Sequence, residues 1–431
     1  MKRPPESTRA LTGLALFQLA GLAALGALAT NIILPVFPDI GAHMDVEARD
    51  LGLTLSSFFI AFAVGQLFAG PLADRFGRKP IVVTGLATFI VGSTVCALSS
   101  TLEVLIVGRV IQSLGAAAAF VLARAIARDL FDGKALGRAL AMIMIAMAAA
   151  PGFSPLIGTG LGTMMGWRFL FTGVALFALV LGIFYVRNLG ETLPGSDRQP
   201  LCLSNVVQTY VGLTRDRRFI FPALSVSLTL GMLYAFFAAA PASFISELGL
   251  TGLQLSLYFA GTVFVVFGAG VLAPRLAHRW GQAWGAMIGA VLSLAGGLVI
   301  LSLASTPNLM FITGGISLFL LGIGIINPLG TAIALQPFRQ QAGSASALQG
   351  FLQMASAAIG SSVASTLPLP PTLALAVTMT GGLILAVLFV FQSLPPELKI
   401  RLHCHEGIRC QSVQESGGPA YSRCANAGYR A

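Results

Sequence analysis

The chain has 431 residues, of which 56% are hydrophobic and only 10% charged, and its mean hydropathy is +0.84. Soluble domains carry about 25% charged residues, so this composition excludes an ordinary soluble globule and describes an integral membrane protein. The net charge of +10 does not mark a nucleic-acid binder either, because the basic residues lie between apolar runs and no basic helix, finger or aromatic platform gathers them.

Twelve apolar runs follow one another, each long enough to cross about 30 Å of hydrocarbon at about 1.5 Å per residue. The first six cover residues 11–35, 51–72, 80–98, 102–127, 136–162 and 167–186; the second six cover 219–245, 253–276, 284–303, 309–335, 342–367 and 372–394. None alternates with period two, so they read as an all-α membrane protein and not as a barrel. The start imitates a signal peptide, with Lys2 and Arg3 ahead of an apolar run that ends in small residues. That run is about 24 residues against roughly 7–15 for a signal core, and its removal leaves an odd number of spans, so it is read as a retained first span.

The N-terminus, every second loop and the tail hold 22 of the 26 Lys and Arg residues. The opposite loops hold only Arg49 and Arg168, while Arg109 and Arg124 fall inside the fourth run. The positive-inside rule then places both termini in the cytoplasm.

The longest internal loop, 188–218, contains "GETLPGSDRQP" and ends in "RDRR", which makes it a cytoplasmic linker between an N-terminal half, 11–187, and a C-terminal half, 219–394. Residues 1–10 form a cytoplasmic N-terminus, and the polar tail 395–431 reads as disordered. "GPLADRFGRK" (70–79) has an echo 200 residues later in "GVLAPRLAHRWG" (270–281). Two similar six-helix halves are the architecture of an alternating-access carrier.

The loop "GPLADRFGRKP" resembles the signature loop of the major facilitator superfamily. "GRVIQSLGAAAA" (108–119) resembles the fourth-helix Arg-x-x-Gln-Gly motif of its proton-coupled members, with Ser113 and Leu114 standing before Gly115. With "ARAIARDLF", "GWRFLF" and "AGSASALQGFLQ", the chain resembles Bcr/CflA-type bacterial drug exporters over about residues 10–395. The resemblance implies twelve helices in two pseudo-symmetric halves, and a monomeric secondary transporter of the bacterial inner (plasma) membrane. Its partners would be a small-molecule substrate, protons and the lipid bilayer.

In the signature loop Gly70 lets two helices approach, and Asp74 is placed to accept from backbone amides or from Arg78. Gly77 completes the glycine–aspartate–glycine spacing, and Arg75 and Lys79 supply the remaining charge. By resemblance Asp129, beside Arg128, is the partner of this loop. Such a cluster would hold the cytoplasmic ends of the two halves together in one conformation and release them in the other. In the fifth span "APGFSPLIGTG" (150–160) resembles the exporter motif Gly-x-x-x-Gly-Pro-x-x-Gly-Gly: Pro155 and Gly158 match, while Ala150, Ser154 and Thr159 replace glycines. Pro151 and Pro155 would kink the helix, and its small faces would let it pack tightly.

An arginine at mid-membrane costs roughly 2.5–3.5 kcal/mol on insertion scales, so Arg109 needs a cavity or a partner. Counted from Glu103 and Asp39, Arg109 and Asn31 both lie about 9–12 Å below the outer face, and they are placed to meet, with the Asn31 carbonyl and Gln112 as neutral acceptors. All sixteen Asp and Glu residues and all four histidines fall in loops, tails or helix ends, so no interior side chain titrates near neutral pH. Here the chain departs from the family it resembles. Bcr/CflA exporters carry "Thr-Asp-Met-Tyr-Leu-Pro" where this first span reads "TNIILP", with Asn31 in place of the acid. The substitution predicts weaker handling of lipophilic cations and a tilt toward neutral, zwitterionic or anionic amphiphiles. It leaves any proton coupling to Asp39, Asp129 or the substrate itself.

Candidate pocket residues are the aromatics Phe58, Phe62, Tyr234, Phe237 and Tyr258, with Asn327 and Gln353 as polar handles. The sequence holds no Walker loop, Ser-His-Asp set or metal cluster in the spans, so neither an enzyme nor a cofactor is expected. "HCHEGIRC" with Cys424 fits no standard zinc spacing. An exporter of amphiphilic compounds is the leading expectation, and an uptake carrier or facilitator of a small metabolite is the alternative.

Overall fold

A computed structural model describes residues 13–47, 49–198, 203–304 and 308–393. The readings made for residues 1–10 and for the tail 395–431 lie outside the described residues. Among the described residues thirteen long helices follow one another: α1 (Gly13–Asn31), α2 (Gly52–Phe76), α3 (Arg78–Leu98), α4 (Leu102–Leu130), α5 (Gly133–Met165) and α6 (Trp167–Asn188) form the first half. After α7 (Leu203–Arg215) come α8 (Arg217–Ala240), α9 (Gly252–Trp280), α10 (Gln282–Ser302), α11 (Leu309–Leu335), α12 (Ala342–Thr366) and α13 (Pro371–Ser393). α1 continues through a tight turn at Leu34–Val36 into a short helix, Phe37–Met44.

Among the described residues eleven spans are long and apolar enough to cross a membrane. The twelfth, α12, falls short because it is built from Ser, Ala and Gly, and it packs along α2 and α8. The linker, read from sequence as an irregular loop, in fact contains α7. Its Tyr210 hydroxyl donates to the carbonyl of Leu67 at 3.1 Å, while Leu213 packs with Phe219, Ala334 and Leu348 of the second half.

The internal repeat is clearer in the structure than in the sequence. The turn glycines Gly77 (φ 102°) and Gly281 (φ 85°) lie 204 positions apart, not the 200 read from the loop text, and the helices that follow them, α3 and α10, both have 21 residues. α3 packs on α4 through Gly85, Gly92, Gly108 and Gly115, and α10 packs on α11 through Gly289, Gly296, Gly315 and Gly322. In each pair the two backbones approach so closely that a Cβ on Gly92 or Gly296 would run into the facing helix.

The halves meet through α2 against α12 and α5 against α9. At the face away from the arginine-rich loops these pairs are in contact. Arg49 donates to the carbonyls of Ser365 and Leu367, the Ser56 and Ser361 hydroxyls are 2.8 Å apart, and the Thr159 and Ser256 hydroxyls are 2.7 Å apart. At the basic face the same four helices carry Gly70, Gly137, Gly270 and Gly343, and a Cβ added at any of them would meet nothing within 4 Å. Among the described residues the hydrogen bonds that join the halves all lie at the first of these faces, whereas toward the basic face the contacts that remain are close packing, Leu67 against the second-half cluster with Leu348 and Gln66 against Gly350.

Candidate functional site

At the basic face α2 ends at Phe76 and α3 begins at Arg78, with only Gly77 between them. Its positive φ suits glycine, and a Cβ there would also collide with the carboxylate of Glu191. Arg78 is buried; its Nη1 lies 2.7 Å from Asp74 Oδ1 and its Nε 3.0 Å from Asp129 Oδ2. Thr192 also donates its hydroxyl to Asp129 Oδ2, at 3.0 Å. Glu191 was not among the sequence candidates, yet it organises the turn. Its Oε1 accepts from the backbone amides of Arg78 (2.8 Å), Thr192 (3.1 Å) and Leu193 (3.0 Å), its Oε2 accepts from Lys79 (3.3 Å), and Arg198 stands 3.6 Å away. Burial works against the charged carboxylate, but these amide donors outweigh it and hold the carboxyl below its usual range.

Every member of this cluster belongs to the first half or the linker. In this conformation it fastens the first half internally and does not tie the two halves together. Arg128 is exposed and stands outside the cluster, and exposed Arg75 lies over the ring of Phe76 at 5.5 Å.

The second centre is inside the bundle. Arg109 is 0% exposed, and its Nη1 donates to the carbonyl of Ala29 (3.1 Å) and to Gln112 Oε1 (2.7 Å). The ring of Phe58 lies 4.4 Å from the guanidinium carbon. Gln112 Nε2 donates onward to the Ser93 hydroxyl at 2.8 Å, and Ser93 donates to the carbonyl of Phe89 at 2.8 Å. Arg109 Nε and Nη2 have no partner among the described residues. Asn31 does not accept from Arg109 as the sequence led us to expect: its Nδ2 donates to the carbonyl of Ala27 at 2.8 Å, and its Oδ1 is buried without a partner. The reason is local. Ala29 lies in the last turn of α1, where final carbonyls lack helical partners and are free to take the guanidinium.

The aromatic candidates are brought together only in part. Phe58 stacks on Phe62 at 5.8 Å, and Phe62 meets Phe120 at 5.5 Å. Across the halves Phe59 lies 5.1 Å from Tyr234, which leads through Phe237 to Phe259. Phe58 and Phe237 are 2% and 5% exposed, so they pack in this conformation and do not line an open cavity. Tyr258 lies elsewhere, in a cleft of about 440 Å³ near the closed face with Leu248, Leu250, Gln254 and Leu309. Asn327 and Gln353 are half-buried. Sequence reading passed over Gln66, which is buried against Gly350, and Gln349, which donates to the Thr331 hydroxyl at 2.9 Å.

In α5, Gly158 seats against the carbonyl of Ile32, at the end of α1, and Gly152 against Val263 and Phe259 of the second half. Pro151 is half-buried one position before Gly152, and Pro155 is buried. Thr159, read from sequence as a replaced glycine, supplies the hydroxyl that meets Ser256.

Twelve helices in two similar halves, hydrogen-bonded to each other at one face and holding a buried arginine between them, have the architecture of a membrane carrier. The chain belongs to the Major Facilitator Superfamily, whose family model matches residues 19–361. It is 29% identical to Multidrug resistance protein D of Escherichia coli strain K12, over 86% of this chain and 93% of that protein. It is 26% identical to a Bicyclomycin resistance protein homolog of Haemophilus influenzae, over 86% of this chain and 94% of that one. These relatives are of the Bcr/CflA type. The crystal structure of the human organic anion transporter MFSD10 shares the fold with a TM-score of 0.65 at 19% identity, covering 90% of this chain and 100% of that one.

Proposed function

We propose that this transporter exports small amphiphilic drugs or related compounds from the cytoplasm of a bacterium by alternating access, as a monomer in the inner membrane with its basic face and both termini inside. The observation that carries the reading is the one-sided hydrogen bonding between the halves. The hydrogen bonds that join the halves, through Arg49, Ser56 and Thr159, all lie at the face opposite the positive charge, as expected of a carrier that opens toward its basic side. The direction of transport rests on relatives named for drug resistance.

Proton antiport has a narrower footing. Asp39 is exposed near the closed face, and Asp129 is held by Arg78 and Thr192; each is a coupling candidate only if its surroundings change between conformations. The missing acid at Asn31 favours a second reading, a facilitator or uptake carrier for a small metabolite. Expression in a drug-hypersensitive bacterium separates the two: lowered accumulation of a compound means export, and raised accumulation means uptake. Transport in vesicles with and without a pH gradient then decides coupling, and gradient-independent exchange would remove the antiport.

A further inference from the structure

We infer that Arg124 receives the anionic group of the substrate, so that the transported compounds are amphiphiles bearing a carboxylate, sulfonate or similar oxyanion. The inference rests on the transport reading above and names its substrate class. Arg124 is six residues from the end of α4, which puts it about 9 Å inside the basic face. It is half-buried, whereas Arg109 is sealed. One side of its guanidinium lies against Phe120, with the ring centroid at 4.6 Å, and its Nη2 reaches only the thioether of Met147, at 3.5 Å. Tyr234, from the second half, is within electrostatic range.

What Arg124 lacks is an acid. No described carboxylate pairs with it, and the nearest charge on its own helix is Arg128, one turn closer to the face and of the same sign. Like charges four residues apart oppose helix formation, and a thioether is a weak acceptor. Asp129 does not relieve them, because its carboxylate is taken by Arg78 and Thr192. Ionisable residues inside spans are rare and mark substrate or ion pathways, and this one is accessible where Arg109 is sealed. Phe120 covers one face of the fork and leaves its N–H edge for a planar acceptor with two oxygens, while the half-buried ring of Tyr234 stands on the second half to meet an apolar body. Arg128, exposed at the mouth, adds attraction along the way in.

The test uses the full chain in nanodiscs of zwitterionic lipid and two probes that share one aromatic body, 8-anilinonaphthalene-1-sulfonate and uncharged N-phenyl-1-naphthylamine, measured by equilibrium dialysis against protein-free nanodiscs. Arg124→Gln should weaken the sulfonate about tenfold or more, the scale of one charge-assisted hydrogen bond, and move the amine by less than about twofold. Arg124→Lys, which keeps the charge without the fork, should fall between. Equal loss of both probes, or an unchanged sulfonate, overturns the inference. The unmodified protein gives a second measurement: the sulfonate, but not the amine, should protect Arg124 from phenylglyoxal as mapped by mass spectrometry, and modification unaffected by the sulfonate also overturns it. Neither measurement requires export, so failure of the export reading would show only in the accumulation assay.

Discussion

Arg109 donates to the carbonyl of Ala29, two residues before Asn31, while the Asn31 side-chain oxygen next to this contact is buried and unpaired. Two guanidinium nitrogens and one amide oxygen are thus left over in the same region, where a neutral residue replaces the acid that the family resemblance would put there. Asn31→Asp supplies a carboxylate to those nitrogens. A buried ion pair formed in this way roughly breaks even in stability, because desolvation offsets the attraction, so the effect should appear in transport. The variant is expected to gain dependence on a pH gradient and to move lipophilic cations that the parent handles poorly. Vesicle transport of a cationic and a neutral dye, with and without the gradient, measures both; if neither changes, Asn31 is a packing residue.

Glu191 carries a pH prediction with a definite sign. Its folded pKa lies below the ordinary value because the amides of Arg78 and Lys79, at the start of α3, and of Thr192 and Leu193 bind the charged form despite partial burial. A depressed carboxylate pKa stabilises the fold above the unfolded pKa and ceases to do so as pH falls through the folded one. Lowering the pH through the acid range should therefore reduce the thermal stability of the detergent-solubilised parent more steeply than that of Glu191→Gln. Glu191→Gln should already be less stable at neutral pH, by a modest amount because the carboxylate is partly exposed and solvent screens it. Parallel melting curves across pH for the two proteins would contradict this.

The number of spans, the basic turns and the two halves were legible because each depends on composition over some twenty residues. Among the spans α12 is the least apolar, since Ser344, Ser346, Ser356 and Ser361 dilute its hydropathy. Four Gly-x6-Gly spacings, at Gly85, Gly108, Gly289 and Gly315, were present in the sequence and would have exposed the repeat at its true register. Glu191 was not legible, because its partners are backbone amides of a turn that exists only once α2 and α3 have folded around Gly77. The acceptor of Arg109 was hidden for a related reason: a helix-end carbonyl at Ala29 carries no side-chain signature.

The same glycines separate packing from gating. Gly92 faces the backbone of Gln112, so Gly92→Leu must push α3 and α4 apart. Overpacking in a tight core costs about 1–3 kcal/mol, and the upper end applies where the obstacle is backbone and not a flexible side chain. Its melting temperature should fall clearly below the parent's. Gly70→Leu should melt like the parent, since a Cβ at Gly70 meets nothing within 4 Å, yet transport more slowly, because the basic-face ends must approach in the other conformation. Loss of stability at Gly70 without loss of rate would reverse this assignment.

The closed face offers the last and most direct test. Arg49 reaches from the first half to the carbonyls of Ser365 and Leu367, which terminate α12 in the second half, so a full positive charge caps the negative end of a helix dipole across the boundary. Hydrogen bonds to a charged group contribute about 1.5–3 kcal/mol, enough to shift a two-state equilibrium roughly tenfold to a hundredfold. Arg49→Gln should therefore raise the population open at this face, seen as faster labelling of a cysteine placed at Thr159, one of the sealing positions. The converse experiment locks the face. With the five native cysteines replaced, Ser56→Cys with Ser361→Cys brings two thiols to positions whose hydroxyls are 2.8 Å apart, within reach of a disulfide. Oxidation should stop transport and reduction should restore it, while either single cysteine transports under both conditions. Continued transport by the cross-linked protein would mean that this face does not open during the cycle.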